Sequence, residues 1–73
     1  MGKLGIFSSE EVCDILRRHG FEEIRRRGSH IIMQQHTPIR VRTVPVPCHK
    51  QIKIGTLQSI IRQSGIGRTE FEK

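Results

Sequence analysis

The run Arg25-Arg26-Arg27-Gly28-Ser29-His30-Ile31-Ile32-Met33 constrains the fold more than any other stretch of the chain. Gly28-Ser29 is a two-residue turn of the Gly-X kind that closes tight hairpins. Extended segments lie on either side of it, Phe21 to Arg27 and His30 to Gln35, and the second is apolar enough for a central strand. A hairpin in the middle of a short chain requires a sheet, and one face of that sheet must be covered.

The covering elements are legible at both ends. Ser8-Ser9-Glu10-Glu11 opens a helix, with Ser8 as cap and Glu11 at capping-box spacing. Val12, Ile15 and Leu16, with Cys13 beside them, form its buried stripe. Arg17, Arg18 and His19 suit the negative end of the helix dipole. Gly20 fits the left-handed position that ends a helix, and Phe21 the apolar residue after it. The spacing predicts a helix over 9–19.

Beyond the hairpin, His36-Thr37-Pro38 makes a loop and Arg40 to Val46 a third strand, with Val44 and Val46 on one face. Pro45 cannot donate a ladder hydrogen bond, which places that strand at an edge. A polar connection from Pro47 to Ile54 carries His49, Lys50 and Lys53. Gly55-Thr56 opens a second helix with Thr56 as its cap. Leu57, Ile60, Ile61 and Ser64 continue the stripe, and Gly65-Ile66 repeats the Gly20-Phe21 arrangement. Thr69 to Glu72 starts a further turn. The predicted order is α-β-β-β-α in one domain over 1–73. That is an α+β fold, a three-stranded antiparallel sheet with two helices on one face. The other face is open and carries many of the arginines.

Seventy-three residues lie near the lower limit for a single self-sufficient core. With 34% apolar and 4% aromatic residues, the core must come from Ile, Val, Leu and the anchors Phe7, Phe21 and Phe71. A large cleft with a buried cofactor does not fit, so no cofactor is expected. Thirteen Lys and Arg against seven Asp and Glu give a net charge of +6, the footprint of a nucleic-acid binder or of a partner to an acidic protein. No apolar run is long enough to span a membrane, and the N-terminus lacks a signal-peptide core. Cys13 and Cys48 make neither a metal motif nor a disulfide framework and read as free thiols of a reducing cytoplasm. Cys48-His49 is adjacent, a poor zinc spacing, so no metal site is expected.

The residues also resemble a known family. Gly28-Ser29-His30-Ile31-Ile32, then Thr43-Val44-Pro45-Val46, then Ile54-Gly55-Thr56-Leu57 with Ser59-Ile60-Ile61-Arg62-Gln63-Ser64-Gly65, are similar to the HicA (YcfA-like) toxins, from Glu11 to Phe71. The resemblance implies a fold like the double-stranded RNA-binding domain and a metal-independent ribonuclease (an mRNA interferase) that inactivates mRNA. It implies that His30, in the Gly-Ser-His motif, is catalytic. It also implies a HicB-like antitoxin that masks the site, with DNA met only through that antitoxin. Two departures stand out. Ile31 occupies the place of a second histidine found in many members, so that histidine is not essential to activity here. Gln35-His36-Thr37-Pro38-Ile39 replaces a Pro-Asp-Gly-type hairpin turn.

The chemistry fits the residue types. RNA is cleaved when its 2′-hydroxyl attacks the adjacent phosphorus, which requires proton transfer and stabilised phosphate charge. Histidine exchanges a proton near neutral pH. His30 is the expected general acid or base, and water, His49 or Lys50 the second group. Arg25, Arg26, Arg27, Ser29, Lys50 and Lys53 are the expected RNA contacts. Strict alternation pairs His30 with Ile32 on one face and Ile31 with Met33 on the other, without deciding which face is open. His19, His36 and His49 read as solvent or cap histidines. With no Trp or Tyr, backbone and shape recognition is expected rather than base stacking. The rival readings are a non-catalytic double-stranded-RNA-binding module or inactive toxin relative, and a protein-interaction domain.

Overall fold

The capping box predicted at Ser8 forms. The Glu11 N–H donates to Ser8 Oγ at 3.2 Å, and the Ser8 N–H donates to the Glu11 carboxylate at 2.9 Å. In the computed structural model, which describes residues 2–72, helix α1 runs Ser9–Arg18 and ends in His19 and Gly20, the latter at φ +89°. The His19 imidazole folds back onto the Ile15 carbonyl at 3.0 Å, so it serves as part of the cap. Strands β1 (Phe21–Arg27), β2 (His30–His36) and β3 (Val41–Pro47) follow, then helix α2 (Ile54–Ser64) and a 3-10 turn over Arg68–Phe71.

The sheet is antiparallel in the order β1-β2-β3, which puts β2 at the centre and the Pro45-containing strand at an edge, as its chemistry requires. Residues directly opposite on neighbouring antiparallel strands share a face. Met33 pairs with Val44 and Ile31 with Val46, so these four line one face. All are buried in one cluster with Phe21, Val12, Cys13, Ile15 and Leu16 of α1, and Leu57 and Ile60 of α2. Both helices therefore cover the same face, and the α-β-β-β-α expectation holds.

Two local expectations need correction. Helix α2 begins at Ile54, not at Thr56, and its N-cap is Lys53, whose extended backbone makes no side-chain cap bond. Thr56 sits inside the first turn instead of capping it. The helix starts early because Ile52, just before it, is driven into the core at 2% exposure and its N–H is taken by the Phe7 carbonyl. Strand β2 also extends to His36, one residue further than the apolar run, because β3 supplies pairing partners as far as Val41.

The two cysteines differ sharply. Cys13 is fully buried, and that burial pushes its thiol from 9.0 up to about 11, against a smaller opposing effect of Arg17. Cys48 is exposed. At about pH 8 an alkylating reagent is expected to modify Cys48 alone, Cys13 reacting only on unfolding, because the thiolate is the reactive form. Mass spectrometry counts the adducts, and two adducts at similar rates would contradict the packing of α1. Because the folded thiol titrates above its ordinary value, its burial contributes stability below pH 9.0 that is lost as pH rises towards about 11.

Candidate active site

Gly28 takes φ +56°, and a Cβ built there would meet nothing within 4 Å. The glycine is needed for its backbone alone. Positive φ at the first turn position and not at the second is the II′ pattern, which matches the twist of the strands it joins. The turn is braced from outside, the Cys48 N–H donating to the Ser29 carbonyl at 2.7 Å.

This turn starts β2 with His30 opposite Arg27 on one side and Pro47 on the other. Since Ile31 and Met33 belong to the core, His30 and Ile32 face the open side of the sheet. The His30 side chain is exposed, and its ring has no hydrogen-bond partner among the described residues.

The three arginines before the turn are not equivalent. Glu23 pairs with Met33 but Arg25 with Ile32, so Ile24 is an extra residue, a β-bulge. A one-residue shift exchanges the faces of everything beyond it. Between the bulge and the turn, Arg25 pairs with Ile32 and Arg27 with His30, which puts both arginines on the open face. Arg26 goes to the helix side, where its guanidinium meets Glu23 at 3.1 Å and Glu10 at 3.3 Å. Those carboxylates, Glu23 first, raise the Arg26 pKa further above its ordinary value.

From His30 a groove of about 410 Å³ crosses Pro45 and Pro47 to the outer face of α2, where Lys53, Thr56, Ser59 and Gln63 line it. His49 also lines it, and among the described residues no carboxylate does. Its far wall was readable in principle: Thr56, Ser59 and Gln63 are a polar stripe at helical spacing. A second hollow of about 350 Å³ lies beyond His49 and gathers Glu10, Arg26, Cys48 and Lys50. A third hollow, about 470 Å³, lies by Arg40 and Arg42 and does not include His30.

Of the expected RNA-binding residues, Arg25, Arg27 and Ser29 thus share the exposed surface around His30, and Lys53 shares its groove. Arg26 and Lys50 come together elsewhere, beside Glu10. Sequence reasoning passed over Ser9. Its hydroxyl, nearly buried, accepts from the His49 N–H at 2.6 Å and lies within donor reach of the His49 and Pro47 carbonyls. These partners are far along the chain, and no local pattern announces them. Among the described residues no group of three or more His, Cys, Asp or Glu side chains is placed to hold a metal ion, and no helix is long and apolar enough to cross a membrane.

The chain is thus a small basic α+β domain with an exposed histidine beside arginines on the open face of its sheet. A family model described as the HicA toxin of bacterial toxin–antitoxin systems matches residues 9–66. The chain belongs to the HicA toxin family. No curated protein matches it. Ile31, which follows His30, is a core position at 1% exposure.

Proposed function

We propose that this protein is the toxin of a HicA/HicB-type system and a ribonuclease that cleaves mRNA without a metal, with His30 transferring a proton. The observation that carries the reading is the placement of His30. It is exposed at a braced turn, next to Arg27 on the sheet and in one groove with Lys53, with no carboxylate among the described residues lining that groove. Cations on either side suit the scissile phosphate and its neighbour along the strand. The absence of a lining carboxylate leaves the phosphate unrepelled. The imidazole is left to act on the 2′-hydroxyl or the departing 5′-oxygen. A HicB-like antitoxin inactivates the toxin by covering this groove and the open face beside it.

The test is cleavage of a labelled RNA by the purified protein in EDTA. Cutting is expected. Salt-sensitive RNA binding without cutting would instead support the non-catalytic RNA-binding reading, and no RNA affinity would support a protein-interaction role.

The strand pairing gives a further prediction. Reversing Arg25 and Arg27 to Glu is expected to weaken RNA binding more at low salt than at high salt. The slope of log affinity against log salt should fall by about 0.7 for each phosphate of single-stranded RNA that is no longer neutralised. Arg26→Ala should change affinity less, because that side chain is paired with Glu23 and Glu10 on the other side of the strand. Fluorescence anisotropy across a salt series measures both. Equal losses from all three positions would show that the strand pairing does not sort them.

A further inference from the structure

We propose that His49 is the second proton-transfer residue of the ribonuclease, acting opposite His30 across the scissile phosphate. This rests on the ribonuclease reading above. Attack of the 2′-oxygen on phosphorus and departure of the 5′-oxygen occur on opposite sides of the phosphate. One imidazole cannot take a proton at the first and give one at the second in the same step. A second group must reach the same groove.

Among the described residues, the titratable ones lining that groove are His30, His49 and Lys53. Of these residue types, imidazole exchanges its proton near neutral pH, whereas an ammonium is better suited to hold phosphate. Lys50, the other side chain the sequence offered for the role, opens into the neighbouring hollow with Glu10 and Arg26. His49 stands on the ridge between the two hollows and borders both.

Its main chain is held firmly while its side chain stays exposed. The Ser9 hydroxyl accepts from the His49 N–H at 2.6 Å, and the Ser9 N–H donates to the His49 carbonyl at 3.1 Å. One residue earlier, Cys48 is tied to the turn that carries His30 through the Ser29 carbonyl, at 2.7 Å. Pro47 is the ladder partner of His30 itself. The two histidines therefore ride on segments joined by main-chain bonds, which holds their separation steady, as concerted proton transfer needs.

In the step, one imidazole takes the 2′-hydroxyl proton as the 2′-oxygen bonds to phosphorus. The bond to the 5′-oxygen breaks, and the other ring, as imidazolium, gives that oxygen its proton. The products are a 2′,3′-cyclic phosphate and a 5′-hydroxyl, and solvent resets both rings. The charged and titratable groups around the pair are Arg25 and Arg27 on the face of His30, Lys53 in the groove, and Glu10, Arg26, Cys48 and Lys50 beyond His49.

The experiment compares wild type, His30→Ala and His49→Asn on a labelled RNA in EDTA, over about pH 5 to 8, with folding checked by thermal melting. Wild type is expected to give a bell-shaped rate profile. His49→Asn is expected to lose about 10²–10⁴-fold in rate and one limb of the bell. An RNA whose leaving 5′-oxygen is replaced by sulfur, which departs without a proton, should restore whichever of the two variants lacks the acid. If wild type and His30→Ala behave as stated while His49→Asn keeps both limbs, at any rate, the inference is overturned and the ribonuclease reading stands. Failure of the sulfur substrate to restore either variant also overturns it. Failure of wild type to cut overturns both.

Discussion

His30→Ala is expected to abolish RNA cleavage and growth inhibition while leaving the fold and antitoxin binding in place. Losing a positioned proton-transfer group costs about 10²–10⁴-fold in rate, enough to end toxicity. The fold should not notice. The ring is exposed, makes no hydrogen bond among the described residues and lies on the face away from the core. The strand pairing it joins uses only the main chain, which alanine keeps. Three measurements check this: growth on induction, cleavage of a labelled RNA, and a thermal melt. A variant as toxic as wild type would remove His30 from the mechanism. A variant that melted early would show that the ring is structural after all.

Phe71→Ala is expected to have the largest effect on stability. Phe71 is fully buried and meets Phe7 edge-on, with ring centroids 6.1 Å apart and planes at 85°. Its carbonyl accepts the Gly5 N–H at 2.8 Å, and Leu4 bridges to Glu72, so the two ends of the described chain close over the core there. Truncating a buried Phe typically costs about 3–5 kcal/mol, and domains of this size have total stabilities near the low end of about 5–15 kcal/mol. A fall in melting midpoint of at least roughly 15 °C follows. Both rings lie outside the residues 9–66 that match the family model. Circular dichroism melting is decisive: a wild-type midpoint for the variant would mean that the terminal turn does not support the domain.

The legibility of this chain follows the range of the forces involved. The capping box at Ser8, the Gly20 and Gly65 stops and the Gly28 turn were readable because each acts over a few residues. The Val44-Val46 edge strand was readable because alternation and one proline sufficed. The start of α2 was not, since it depends on Ile52 finding the core and the Phe7 carbonyl. Alternation divides Arg25 and Arg27 from Arg26, but which of them lie on the open face was not readable, since that depends on Ile31 and Met33 being buried under the helices. Ser9 was invisible for the same reason: its partners, Pro47 and His49, come near only once the sheet is packed.

By itself, then, the sequence determined which segments are helix and strand, that His30 leads the central strand, and that the surface is basic. These follow from period, turn chemistry and charge, all local properties. Tertiary structure alone decided that His30 faces outward, that Lys53 and His49 border its groove, and that Arg26 does not join them. Burial of Ile31 and Met33 under both helices leaves His30 the opposite face, and the pairing of Arg27 with His30 and of Arg25 with Ile32 then sets which arginines share it.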